Sequence, residues 1–123
     1  MRKILVVDDD IHHIERLELI LSQIENTRTI QGTDGVEGFN LYASEQPDVI
    51  LTDLVMPNLD GLEMIKQIRE LDSEIPIIAF SGFIADDGYK LENIYEAGAD
   101  DAIPKPSMSQ SIINTVMKHL DLI

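Results

Sequence analysis

Asp53 stands where a short apolar run, Val49-Ile50-Leu51-Thr52, gives way to Leu54-Val55-Met56-Pro57. Aliphatic and β-branched residues between a proline entry and a turn have the composition of a buried strand. In an open parallel sheet the carboxyl ends of the strands border the crevice where ligands bind. By itself Asp53 would be a turn cap ahead of Met56-Pro57. Other strand ends carry chemistry too: Asp8 and Asp9 follow the first apolar run, Ser81 the fourth and Lys105 the fifth. Three converging carboxylates favour a hard cation with oxygen ligands, and Mg²⁺ needs few protein ligands because it keeps several waters. A hydroxyl and an ammonium beside them suit anionic oxygens, as phosphoryl transfer requires. Alone, Asp8-Asp9-Asp10 is a helix-capping acidic turn and Lys105 a solvated lysine. Their joint occurrence at four strand ends favours one cluster.

The elements that must position these residues alternate from end to end. Strands are expected over 3–7, 27–31, 49–52, 75–80 and 101–104. Helices are expected over 11–24, 36–44, from Asp60 to about Leu71, around 89–97 and over about 108–120. Ile14, Leu17, Leu21 and Ile24 recur at helical spacing, as do Leu62, Ile65, Ile68 and Leu71, and Met108, Ile112, Val116 and Leu120. Val36, Phe39 and Tyr42 give the second helix its side. Asp10 and Asp60 are suited to N-caps and Gly98 to a helix stop. Such alternation implies right-handed crossovers and a doubly wound α/β fold, its parallel sheet covered on both faces. The first, third and fourth strands are apolar enough to be central; the second and fifth are weaker and expected at the edges.

A chain of 123 residues suits one domain spanning 1–123. It has no cysteine, which excludes disulfides and thiolate metal sites. No apolar stretch approaches the roughly 20 residues needed to span a bilayer, and the start lacks a signal-peptide pattern, so a cytoplasmic protein is expected. Net charge is −14, from 23 acidic and 9 basic residues. Such a surface repels phosphate backbones and anionic membranes, which argues against direct nucleic-acid or membrane binding. It suits a divalent cation and protein partners with basic patches. His12 and His13 open the first helix near the acid cluster, where metal ligation is one reading, but they read better as exposed helix-start residues; His119 reads as a cation favoured at a helix C-terminus.

Val6-Val7-Asp8-Asp9, Asp53-Leu54-Val55-Met56-Pro57 with Asp60-Gly61, Ser81, Ala97-Gly98-Ala99-Asp100-Asp101 and Lys105-Pro106 resemble the receiver domain of two-component response regulators. The resemblance spans essentially the whole chain. It implies a flavodoxin-like fold with strand order 2-1-3-4-5. It also implies phosphoryl transfer to Asp53 from a histidine kinase or histidine phosphotransfer protein. Asp9 and Asp53, with the backbone carbonyl of Val55, would then bind Mg²⁺, with Asp8 acting mainly through metal-bound water. Ser81 would hydrogen-bond the phosphoryl group, Lys105 would pair with Asp53 or a phosphoryl oxygen, and Lys105-Pro106 would carry a cis bond. The implied role is a signalling switch rather than an enzyme, used as a stand-alone adaptor or a phosphate shuttle or sink by a monomer or weak dimer, the alternative being a receiver domain excised from a larger regulator.

Three positions and the length of one stretch depart from the family pattern. Ala102 stands where a switch aromatic is usual, three residues before the lysine; Ser107 replaces a common Phe; Gly82 replaces Ala; and the stretch from 81 to 98 is slightly long. Output is therefore expected through rearrangement of the 83–89 loop or through another surface. Val55 and Phe83, two residues past Asp53 and Ser81, stand where the family resemblance places the flanks of the attacking water's route; both are apolar and unable to orient water, which implies slow self-dephosphorylation. A small Mg²⁺-dependent phosphatase or phosphotransferase is the competing class, but such enzymes generally place a second Asp where this chain has Val55. A degenerate receiver serving only as an interaction module is opposed by the complete set Asp8, Asp9, Asp53, Ser81 and Lys105.

Overall fold

The computed structural model describes residues 1–82 and 90–123. Its elements follow in the order β1 (Arg2–Val7), α1 (Ile11–Leu21), β2 (Thr27–Gly32), α2 (Gly35–Glu45), β3 (Val49–Thr52), α3 (Gly61–Leu71), β4 (Ile77–Ser81), α4 (Leu91–Ala97), β5 (Asp101–Pro104) and α5 (Ser109–His119). The strands form one parallel sheet, as the alternating pattern requires, in the order β2-β1-β3-β4-β5 that the family resemblance implies.

Period two along each strand sorts the core into two layers. Ile4, Val6, Val49, Leu51, Ile78, Phe80 and Ile103 face Ile14, Leu17 and Leu21 of α1 and Ile112 and Val116 of α5. Leu5, Val7, Ile50, Ile77 and Ala79 face Met64, Ile65 and Ile68 of α3 and Ile94 and Ala97 of α4, with Phe39 and Tyr42 of α2 packed alongside. β1, β3 and β4 are apolar on both faces because helices cover both. β2 and β5 are the edges, as their weaker sequences foretold.

Helix ends follow their capping chemistry. Asp10 accepts from the His12 N–H at 2.9 Å, Asp34 from Glu37 at 2.8 Å and Asp60 from Glu63 at 2.9 Å. These caps satisfy N–H groups that no helix turn reaches. Gly98 ends α4 at φ +122°, where a Cβ would lie 2.2 Å from Arg69 Cγ. Arg69 in turn donates to the Gly98 carbonyl at 2.7 Å and to Asp100 at 2.8 Å, tying α3 to the start of β5.

Four expectations need correction, the first being Val36, which is exposed on α2 while Phe39 and Tyr42 pack inward. The first helix stops at Leu21, with Ser22 as C-cap, although Ile24 is still buried through the following turns. Leu71 is exposed: the inner stripe of α3 is Gly61, Met64, Ile65 and Ile68, and the last turn carries Leu71 outward. Met108 is exposed too, because it is the extended N-cap of α5 rather than its first inner residue. The expected polar loop, with Phe83, Asp86, Asp87 and the helix start at Tyr89, lies outside the described residues. Among the described residues no helix is long and apolar enough to cross a membrane.

Candidate functional site

The carboxyl ends of β1, β3, β4 and β5 meet at one edge of the sheet. Asp8 follows β1, and its N–H bonds the Gly32 carbonyl at the end of neighbouring β2 at 3.0 Å. Asp53 follows β3, its N–H donating to the Val7 carbonyl at 2.8 Å. The Lys105 N–H donates to the Ser81 carbonyl at 3.1 Å. Asp8, Asp53 and Lys105 are thus each placed by the first backbone bond beyond their strands.

Asp8, Asp9 and Asp53 each offer a carboxylate oxygen, and these atoms all lie within 4.8 Å of one another. The donor set is all oxygen and anionic, which fits a hard divalent cation and does not suit a soft one. Asp8 is buried, Asp53 half-buried and Asp9 exposed, so the cluster opens on its Asp9 side.

Asp53 Oδ1 accepts from the Leu54 N–H at 2.7 Å and sits 3.4 Å from the Val55 N–H. Oδ2 points the other way, 3.2 Å from Lys105 Nζ. The loop that makes this possible passes very close to α3. A Cβ on Gly61 would sit 1.9 Å from the Asp53 carbonyl oxygen, and the Gly61 N–H bonds the Leu54 carbonyl at 2.9 Å. Thr52, fully buried, donates its hydroxyl to the Asp53 carbonyl at 2.8 Å.

Lys105 is only 15% exposed, and its Nζ lies 2.7 Å from Asp8 Oδ2. A carboxylate as buried as Asp8 needs such a partner, since a buried charge without one is costly. The pairing of Lys105 with Asp53 that the family resemblance implies is present, but the shorter contact is to Asp8. The Lys105-Pro106 bond is cis. Ser81 is fully buried at the end of β4, beside Pro104 in register.

Three contacts were not foreseen from the sequence, two of them at the site and one, that of His119, at the far end of β5. His13 reaches the cluster, with Nδ1 3.3 Å from Lys105 Nζ and 3.5 Å from Asp8 Oδ2. Its spacing from Asp10, one helical turn, was the available signal, because positions three apart share a helix face. Phe80 lies under the lysine, with Nζ 5.2 Å from the ring centroid, a cation–π distance. His119 bonds Asp101 at 3.2 Å instead of standing alone at the helix end. A cavity of about 380 Å³ opens beside Asp53 between α1 and the Lys105–Ser107 turn, lined by Leu17, Ile20, Phe80 and Ile112 among others. On the opposite face of β5, Ala102 packs against the α3–α4 layer and presents a methyl group where the resemblance led to expect a ring.

Residues 4–117 match the family model of the response regulator receiver domain. Response regulator MprA of Mycobacterium ulcerans is 38% identical over 112 residues, which are 90% of this chain and 47% of that protein. MprA of Mycobacterium avium is 37% identical with the same coverage. The chain therefore spans about half the length of these curated relatives. The receiver domain of Francisella response regulator 1452 superposes with TM-score 0.87 at 28% identity, covering 98% of both chains. A response regulator described as putative, from Chloroflexus aurantiacus, superposes with TM-score 0.88 at 27% identity over 98% of both. With its sheet order, its acidic strand ends and this match over nearly its full length, the chain belongs to the response regulator receiver domain family.

Proposed function

We propose that this receiver is a switch phosphorylated on Asp53 by a histidine kinase or histidine phosphotransfer protein, with Mg²⁺ held by Asp9, Asp53 and the Val55 carbonyl and with Asp8 behind them. The observation that carries the reading is the convergence of Asp8, Asp9 and Asp53 within 4.8 Å around an ammonium that touches two of them.

In the proposed step Asp53 Oδ2 attacks phosphorus. The new O–P bond forms as the P–N bond to the donor imidazole breaks, and the nitrogen keeps the electron pair. Oδ1 stays on the Leu54 N–H, which fixes the carboxylate plane and aims Oδ2. Bound Mg²⁺ supplies charge neutralisation at the phosphoryl oxygens. Lys105 offsets the negative charge that phosphorylation adds, and Ser81 donates to a phosphoryl oxygen. The chain itself turns over no substrate in this reading; it carries the phosphoryl group and presents an altered surface. Its net charge of −14 favours a protein with basic patches as the reader of that surface, in an adaptor or shuttle role.

Incubation with acetyl phosphate and Mg²⁺, followed by intact mass and peptide mapping, tests the assignment. One phosphoryl group on Asp53, lost in Asp53→Asn, is expected; labelling of Asp53→Asn at the wild-type rate would overturn it.

A further inference from the structure

An ammonium has three N–H bonds to place. Around Lys105 Nζ stand three acceptors: Asp8 Oδ2 at 2.7 Å, Asp53 Oδ2 at 3.2 Å and His13 Nδ1 at 3.3 Å. The first two belong to the acid cluster. The third comes from α1, from a side chain that is about half exposed.

We propose that His13 is a positioning residue for Lys105, its Nδ1 lone pair taking the third ammonium N–H and holding the head group between Asp8 and Asp53. The inference rests on the phosphoryl-transfer reading of the site.

Lysine only donates, so Nδ1 is the acceptor in this contact. Asp8 Oδ2 lies 3.5 Å from the same nitrogen, and Nε2 lies 3.6 Å from Asp10 Oδ2. Asp10 is itself fixed as the cap of α1 by the His12 N–H. The lysine head is thus held by carboxylates on two sides, by the imidazole on a third and by the Phe80 ring at 5.2 Å.

Asp8 is the closer carboxylate, and His13, coming from α1, gives the ammonium a third contact that belongs to neither carboxylate.

Two measurements on the full 123-residue chain test this, with His13→Ala, His13→Asn and His13→Phe beside wild type. Asn returns an acceptor near the Nδ1 position, whereas Phe returns only bulk. The first measurement is exchange of the Lys105 ammonium protons with water, by ¹⁵N-resolved NMR. It should rise about three- to tenfold in the Ala and Phe variants, the range one lost hydrogen bond spans, and recover in the Asn variant. The second is the labelling rate with acetyl phosphate at saturating Mg²⁺, which should fall over a similar range and recover in the same variant. Unchanged exchange and labelling in His13→Ala, or recovery in His13→Phe equal to that in His13→Asn, would overturn the proposal. A wild-type chain that is never labelled is a different failure: it removes the phosphoryl reading, and the positioning role with it, even where ammonium exchange shows the His13 bond.

Discussion

Lys105 is bonded more closely to Asp8, at 2.7 Å, than to Asp53, at 3.2 Å. The ammonium therefore occupies space and charge that a divalent cation on the same carboxylates must contend with. Two positive centres a few ångströms apart repel by more than 1 kcal/mol even at an effective dielectric constant of about 20. Lys105→Met is expected to tighten Mg²⁺ binding about threefold or more while slowing phosphorylation of Asp53. NMR or calorimetric titration with Mg²⁺ alone checks the first part; unchanged or weaker affinity would show that the two cations do not compete.

Gly61 tests how tightly the Asp53 loop is fitted to α3. Helix propensity alone would favour Ala over Gly by about 1 kcal/mol. Against that, the added Cβ would meet the Asp53 backbone oxygen at 1.9 Å, and backbone has no rotamer with which to yield. Overpacking of this kind costs about 1–3 kcal/mol net. Gly61→Ala is expected to lower the urea midpoint and weaken Mg²⁺ binding together. A stabilised variant would contradict the close approach.

Val55 bears on the lifetime of the phosphorylated state. The residue is 42% exposed two positions beyond Asp53, and an isopropyl group offers attacking water neither donor nor acceptor. Val55→Asn introduces both, and the Asp53 phosphoryl lifetime should shorten by up to about tenfold, the scale of one hydrogen bond. Decay of phosphoprotein after donor removal measures it. A lengthened lifetime would mean that Val55 does not border the path of the water.

Acid stability follows from four carboxylates held below the ordinary value of 3.8. The His12 N–H lowers Asp10, the Glu37 N–H lowers Asp34 and the Glu74 N–H lowers Asp72. Burial pushes Asp101 up, but hydrogen bonds from His119 and Lys118 more than offset it. A depressed folded-state pKa means that the unfolded chain takes up protons first as pH falls. The stabilisation is complete well above 3.8 and is lost progressively below about pH 5. Asp72→Asn keeps a carbonyl acceptor for the Glu74 and Ile75 N–H groups but loses the titrating charge. Its stability should fall less steeply than wild type between about pH 5 and 3 in urea titrations. An equal slope would remove Asp72 from the account.

The strand–helix alternation was legible in the chain because period-two and period-3.6 apolar patterns are local properties, and central strands declare themselves by being apolar on both faces. The caps Asp10 and Asp60 and the stop at Gly98 were legible for the same reason. Helix ends were less so: Leu71 and Met108 fit the periodicity of their stripes, yet each lies at a terminus where the helix no longer faces the core. Asp8, Asp9, Asp53, Ser81 and Lys105 could be grouped before any coordinate was known, since a parallel sheet brings every carboxyl strand end to one edge.

Which of these groups touch one another is a property of the tertiary structure alone. Lys105 and Asp8 are 97 positions apart, and their separation depends on how β5 docks through β4 and β3 onto β1. The role of His13 depends on the roll of α1 over the strand ends, and sequence types leave that roll open among several packings of the same apolar stripe. Phe80 reads as an ordinary strand residue until the lysine is placed above it. Residue type and local period determine what chemistry is present and on which edge it gathers. Long-range packing determines which oxygen the ammonium holds, because hydrogen bonds form or fail over tenths of an ångström.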